Sequence, residues 1–251
     1  IDGVPMFNSV GEEGSGRYSS RGSTEGIADL NPEDIESMTV LTGASAAALY
    51  GSSAANGAIL ITTKKGKEGK LEATFSSSME FAHPFIMPEF QNTYGSLPNA
   101  AVSWGEKQAS TGYNPADFFK TSATYTNAVT LSMGSDKNQT YASLAATNAN
   151  GLVPNNVYDR YNITLRNSSS ALDGKLRMDI GAQYIIQQDQ NMVNQGEYMN
   201  PMVGAYLYPR GLDWADAKYF EMWDEERGLL TASPFPQGDY TMQNPYWVAY
   251  R

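Results

Sequence analysis

The chain has 251 residues, 41% of them hydrophobic, a mean hydropathy of -0.43 and no cysteine, which removes disulfides, thiolate metal sites and cysteine nucleophiles together. Its formal net charge of -10 excludes a nucleic-acid partner, because phosphates demand a surplus of Lys and Arg. No apolar run approaches the roughly 18 residues of a membrane helix, a limit that leaves membrane β-strands open because they alternate and give no hydropathy peak.

The chain opens at Ile1-Asp2-Gly3-Val4-Pro5, a strand-turn pattern without initiator Met or signal peptide, as expected of a cut within a domain. A Gly/Ser-rich loop over 11–26 follows. In Asn31-Pro32-Glu33-Asp34 the residue order predicts a helix start, with Asn as cap, Pro at the first helical position and acids at the positive end. Met38 to Leu41 reads as a short buried strand. Gly43 turns the chain into a helix over 44–50 made of small residues suited to packing on a sheet, and Gly51 ends it. Asn56-Gly57 predicts a tight turn before a strand over 58–63, and Lys64-Lys65-Gly66-Lys67 closes the region with exposed charge.

Beyond residue 69 the pattern changes to long alternating strands. The first sets Leu71, Ala73, Phe75, Met79 and Phe81 against Glu72, Thr74, Ser76, Ser78 and Glu80. The second sets Tyr125, Val129, Leu131 and Met133 against Thr124, Thr126, Thr130 and Ser132. A third, 141–148, alternates poorly, and a fourth sets Val157, Tyr161, Ile163 and Leu165 against Tyr158, Arg160, Asn162, Thr164 and Arg166. The fifth, 175–187, sets Leu176, Met178, Ile180, Ala182, Tyr184 and Ile186 against Lys175, Arg177, Asp179, Gln183 and Gln187. Ordinary strands run about five or six residues, whereas strands that cross a membrane at a tilt need roughly 9–11. The segments 134–138 and 168–174 read as short turns. The long segment 82–122 and the tail from 189 fall at the opposite end, the loop asymmetry of outer-membrane barrels, although the connection 149–156 on that side is short.

The segment Asn31-Pro32-Glu33-Asp34-Ile35-Glu36-Ser37 resembles a signature of the SusC/RagA family of TonB-dependent transporters. It continues in order through Val40-Leu41-Thr42-Gly43-Ala44-Ser45-Ala46-Ala47-Ala48-Leu49-Tyr50-Gly51, Ala54-Ala55-Asn56-Gly57 and Ile61-Thr62-Thr63-Lys64-Lys65-Gly66. Ile1-Asp2-Gly3-Val4-Pro5 upstream is similar to the strand-turn before this block. Ser103-Trp104-Gly105, Asp117-Phe118-Phe119-Lys120 and Tyr158-Asp159-Arg160-Tyr161-Asn162 are similar to the early barrel.

The resemblance implies an α+β plug portion over 1–67, followed over 68–251 by antiparallel meander strands of an incomplete transmembrane β-barrel. It further implies a cell outer membrane location and TonB-dependent import of glycan or peptide oligomers. The implied partners are outer-membrane lipid, a SusD-like lipoprotein as lid, and TonB acting through a segment outside this chain. The rival reading is a surface β-rich carbohydrate-binding or adhesin module.

No catalytic constellation emerges, and neither a cofactor nor a metal site is expected. His83, the single histidine, sits in a loop beside Pro84 and reads as an ordinary polar residue. Glu221, Asp224, Glu225 and Glu226 are spaced like a solvated helix face rather than a glycosidase pair. Tyr18 and Arg21 are candidates for lining a substrate path or belong to a solvated loop. Trp104, Trp214 and Trp223 lie in the expected outer segments, where indoles stack on sugars, anchor partners, or pack the loops on themselves.

Overall fold

The computed structural model describes residues 1–6, 30–97, 103–108, 112–194, 196–235 and 243–251. Its N-terminal portion is small and mixed. Asn31 accepts a hydrogen bond from the Glu33 N–H and caps a single 3-10 turn, Pro32–Asp34. The expected helix goes no further, because the chain turns extended at Ile35 and enters strand β1, Ile35–Leu41. Helix α1, Gly43–Tyr50, stops at Gly51, whose φ of 77° is the left-handed conformation that favours glycine. Strand β2, Ala58–Thr63, then pairs antiparallel with β1. Ile61 of β2 is buried, but Met38 and Val40 of β1 are exposed, so the expectation of a buried strand there is corrected. Met38 is the register partner of Ile61 and shares its face, but β1 stands exposed on both faces while burial falls on Ile61 and Thr63 of β2.

The remainder is dominated by a five-stranded antiparallel meander: β3 (Gly69–Ala82), β4 (Ser122–Gly134), β5 (Asn138–Asn150), β6 (Val157–Ala171) and β7 (Leu176–Gln190). The strands hold 13 to 15 residues each. Sequential pairing in register carries single rows of side chains across the whole sheet. Phe75, Val129, Leu144, Ile163 and Tyr184 form one such row, at 68, 39, 56, 46 and 63% exposure. The next row on that face is Ala73, Leu131, Ala142, Leu165 and Ala182. The opposite face carries Thr74, Thr130, Ser143, Thr164 and Gln183 in one row and Glu72, Ser132, Tyr141, Arg166 and Gly181 in another. Thus the apolar face is bare, while Tyr141, Ser143, Asn162 and Thr164 on the polar face are buried.

The third alternating stretch, weak in the sequence, is the central strand β5. Its small residues include Ala145, buried on the polar face. At the short-turn end, residues 135–137 and 172–175 connect the strands. At the other end the described residues of the 83–121 connection, of the 151–156 turn and of the segment after Gln190, which includes helices α2 (Pro201–Tyr206) and α3 (Pro245–Tyr250), share one core.

The acids around Trp223 form a hairpin, not the expected helix. β8 (Glu221–Asp224) pairs with β9 (Leu229–Ala232). Asp224 Oδ1 accepts the Glu226 and Arg227 N–H groups, and Gly228 sits at φ 63°. That is turn chemistry, and it overrides the charge spacing. No described helix is long and apolar enough to cross a membrane, which says nothing of crossing by strands.

Candidate functional site

Two places bring chemistry-bearing side chains together. The first is the polar face of the sheet, where residues 1–67 dock. The Asp34 carboxylate, buried at the end of the 3-10 turn, accepts from the Tyr141 hydroxyl at 2.8 Å and the Thr164 hydroxyl at 2.6 Å. Tyr141 lies on β5 and Thr164 on β6, so one side chain bridges two neighbouring strands. Asp2 takes Arg166 of β6 at 2.6 Å and also accepts from the Thr63 N–H and hydroxyl. Burial opposes ionisation of Asp2, but the hydrogen bonds from Thr63 and Arg166 outweigh it and hold the carboxyl below its ordinary value of 3.8. Lys65 pairs with Asp179 of β7, and the Lys67 N–H donates to Ser132 Oγ of β4 at 3.0 Å. Gly66 passes so close to β5 that a Cβ there would run into the Thr140 backbone. The N-terminal portion thereby reaches four consecutive strands, all on their polar face.

The second place is the loop cluster beyond the long-loop end of the strands. Tyr113, Phe118, Val153, Ala205, Tyr208, Trp214, Ala217, Tyr246 and Ala249 make its buried core. Phe118 meets Tyr246 edge-on at 5.2 Å between ring centres, and Tyr208 meets Trp214 edge-on at 5.1 Å. Arg210, itself buried, lies over the rings of Tyr113 and Phe90 at 3.9 and 4.5 Å and donates to the Tyr208 carbonyl at 2.8 Å. Burial pushes the Tyr113 and Tyr208 hydroxyls up to about 12, so both stay neutral at any physiological pH.

The candidate contact residues separate against this frame. Trp214 is 2% exposed and belongs to the loop core, so loop packing accounts for it. Trp104 stands 72% exposed with Tyr94 beside it, 6.2 Å between ring centres. Trp223 is exposed on β8. Among the described residues, none of the three indoles is in ring contact with another. Tyr18 and Arg21 lie outside the described residues, and His83 is exposed just past β3. Sequence reading missed the docking residues Asp2, Asp34, Tyr141 and Thr164. Their signal was available only in part: Asp34 sits in the signature segment, but there it reads as a helix-end acid. Arg210 gave no periodic signal at all.

A family model described as the TonB-dependent receptor plug domain matches residues 1–58. The TonB-dependent receptor SusC of Bacteroides thetaiotaomicron is 33% identical over 178 residues, which are 66% of this chain and 17% of that protein. A TonB-dependent receptor of Formosa agariphila is 47% identical over 62 residues, 24% of this chain and 6% of the relative. Among solved structures, one of the RagAB peptide importer in a closed-closed state aligns with a TM-score of 0.55 at 20% identity, covering 88% of this chain and 29% of that one. The chain therefore spans less than a third of the length of each of these relatives. With plug segment, docked meander and relatives in agreement, the chain belongs to the SusC/RagA-like TonB-dependent receptors, as a stretch joining part of the plug to strands of an unclosed barrel wall.

Proposed function

We propose that the protein containing this chain imports nutrient oligomers, glycan or peptide, across the outer membrane with energy from TonB and a SusD-like lipoprotein as partner. In this reading residues 1–67 are plug and residues 68–251 are barrel strands and outer loops. The observation that carries it is the sorting of the sheet's two faces. Apolar rows of bulky side chains stand bare on one face, as lipid contact requires, while the other is polar and receives the plug through charged and hydroxyl side chains. A water-filled lumen partly blocked by a plug needs that arrangement. An adhesin sandwich would cover the apolar rows with a second sheet, and none of the described strands does so.

The loop cluster supports the outer assignment. Long segments at one end, folded on an aromatic core and presenting Trp104 and Trp223, suit contact with oligomers or a lid protein. The structurally similar RagAB is a peptide importer, which bears on the cargo class, and both glycan and peptide stay within the proposal. The test is uptake by cells expressing the full-length protein, offered fluorescent oligosaccharides and oligopeptides with and without a working TonB. Internal label that needs both the protein and TonB supports import. Label that stays at the surface and ignores TonB overturns it in favour of a binding module.

A further inference from the structure

We infer that Asp34 is the residue that registers the plug on the barrel wall, clamping β5 to β6 through the hydroxyls of Tyr141 and Thr164. The inference rests on the plug reading above and names the contact that holds the plug in place.

Three of the wall contacts fall on one row of the sheet. Ser132, Tyr141 and Arg166 are register partners on β4, β5 and β6, and each receives a different plug group: the Lys67 N–H, Asp34 and Asp2. Gly181, next in the row on β7, has no side chain and leaves room for Arg166, whose stem lies 3.6 Å from where a Cβ would be. At roughly 4.8 Å per strand the row spans about 10 Å from Ser132 to Arg166. Thr164, paired with Ser143, lies diagonally from Tyr141, so Asp34 reaches between two rows as well as two strands.

The contacts are not equivalent. Lys65 and Asp179 are about half exposed, and such a pair contributes little because water competes for both partners. Arg166 and Asp2 are less exposed, at 20 and 24% of their side chains. Asp34, at 5%, is the most buried of the plug acids that touch the wall, and its partners among the described residues are hydroxyls rather than cations. A carboxylate so placed requires both hydroxyls, since losing them leaves a desolvated charge without donors. Moving the plug along a strand to the next residue on the polar face displaces it by about 6.8 Å, and moving it across by one strand displaces it by about 4.8 Å, so either takes Asp34 out of reach of both hydroxyls. The Asp34 backbone is tied into the same unit: its carbonyl accepts the Lys64 N–H at 2.7 Å, so the clamp also holds the segment after β2 that carries Lys65 and Lys67.

The test is hydrogen exchange by mass spectrometry on the full-length protein in detergent, read on peptides covering 58–67 and, as an internal reference, 141–150. In the unsubstituted protein the 58–67 amides are expected to be protected; fast exchange there overturns the docking reading and the clamp with it. Asp34→Ala, and separately the wall-side changes Tyr141→Phe and Thr164→Val, are expected to speed exchange in 58–67 by tenfold or more. Exchange in 141–150 stays within twofold, and Lys65→Ala leaves both peptides as they were. If Asp34→Ala does not fold, the two wall-side variants, which keep the plug sequence intact, decide the matter. Unchanged 58–67 exchange in both of those variants, or an equal effect of Lys65→Ala, overturns the clamp while leaving the import reading standing.

Discussion

The wall of β3 to β7 and the loop cluster beyond it are built from the same residue types with inside and outside exchanged. In the wall, Leu144 and Ile163 stand bare and Thr164, Ser143 and Asn162 are buried. In the cluster, Phe118, Trp214 and Tyr208 are buried in the ordinary manner of a water-soluble core. A single chain can do both only if its parts meet different surroundings. The cluster lowers its free energy by removing aromatic surface from water. The wall gains nothing of that kind from water, and in the function proposed above its in-register rows face hydrocarbon.

The sharpest way to break this contrast is to truncate the cluster. Trp214→Ala removes an indole that touches four other rings, and about 3–5 kcal/mol of local stability is expected to go with it. Protease sensitivity of the outer segments, with the barrel still folded, would show it. A loss below 1 kcal/mol would mean that the cluster is no core.

On the wall, Ile163→Arg is expected to cost roughly 2–4 kcal/mol in a folding titration into lipid, because the residue sits in the middle apolar row. Ile180→Arg should cost less, roughly 0–1 kcal/mol. Its row holds Thr140 and Asn167 near the short turns, which places it toward the edge of the apolar band.

Alkali separates the two regions by a different lever. Tyr113 and Tyr208 have folded-state values raised from 10.0 to about 12, so their contribution is complete below pH 10 and is lost as pH climbs through about 12. Near-ultraviolet circular dichroism should therefore report loosening of the cluster in that window, and a signal flat through pH 12 would count against it. The smallest effect belongs to Gln183→Arg. It lies on the polar face and is exposed, so it should be nearly silent in the titration that penalises Ile163→Arg. Equal costs would mean that the faces are reversed.

Much of the fold is legible in the sequence because a strand declares its faces every second residue. Leu176 to Ile186 alternate cleanly, and β7 forms there with Ala182 and Tyr184 in register with the bare apolar rows of the other strands. The turn at Asn56-Gly57 and the stop at Gly51 are equally local, set by backbone conformations that glycine favours. The acid-rich stretch at 221–226 misleads because charge spacing carries less information than Asp224 and Gly228 do about a turn. Met38 and Val40 mislead because apolar composition does not say which strand of a two-stranded ribbon is covered. The candidate indoles Trp104, Trp214 and Trp223 are indistinguishable in sequence, yet one is buried and two are exposed.

The sequence by itself determined the strand faces, the turns between them and the change of character near residue 67, since each depends on neighbours a few residues away. Only the tertiary structure decided that Asp34 meets Tyr141 and Thr164, separated from it by 107 and 130 residues, and that Arg210 lies over Phe90 and Tyr113. Contacts at such separations are selected by how whole elements stack, and no local period records them.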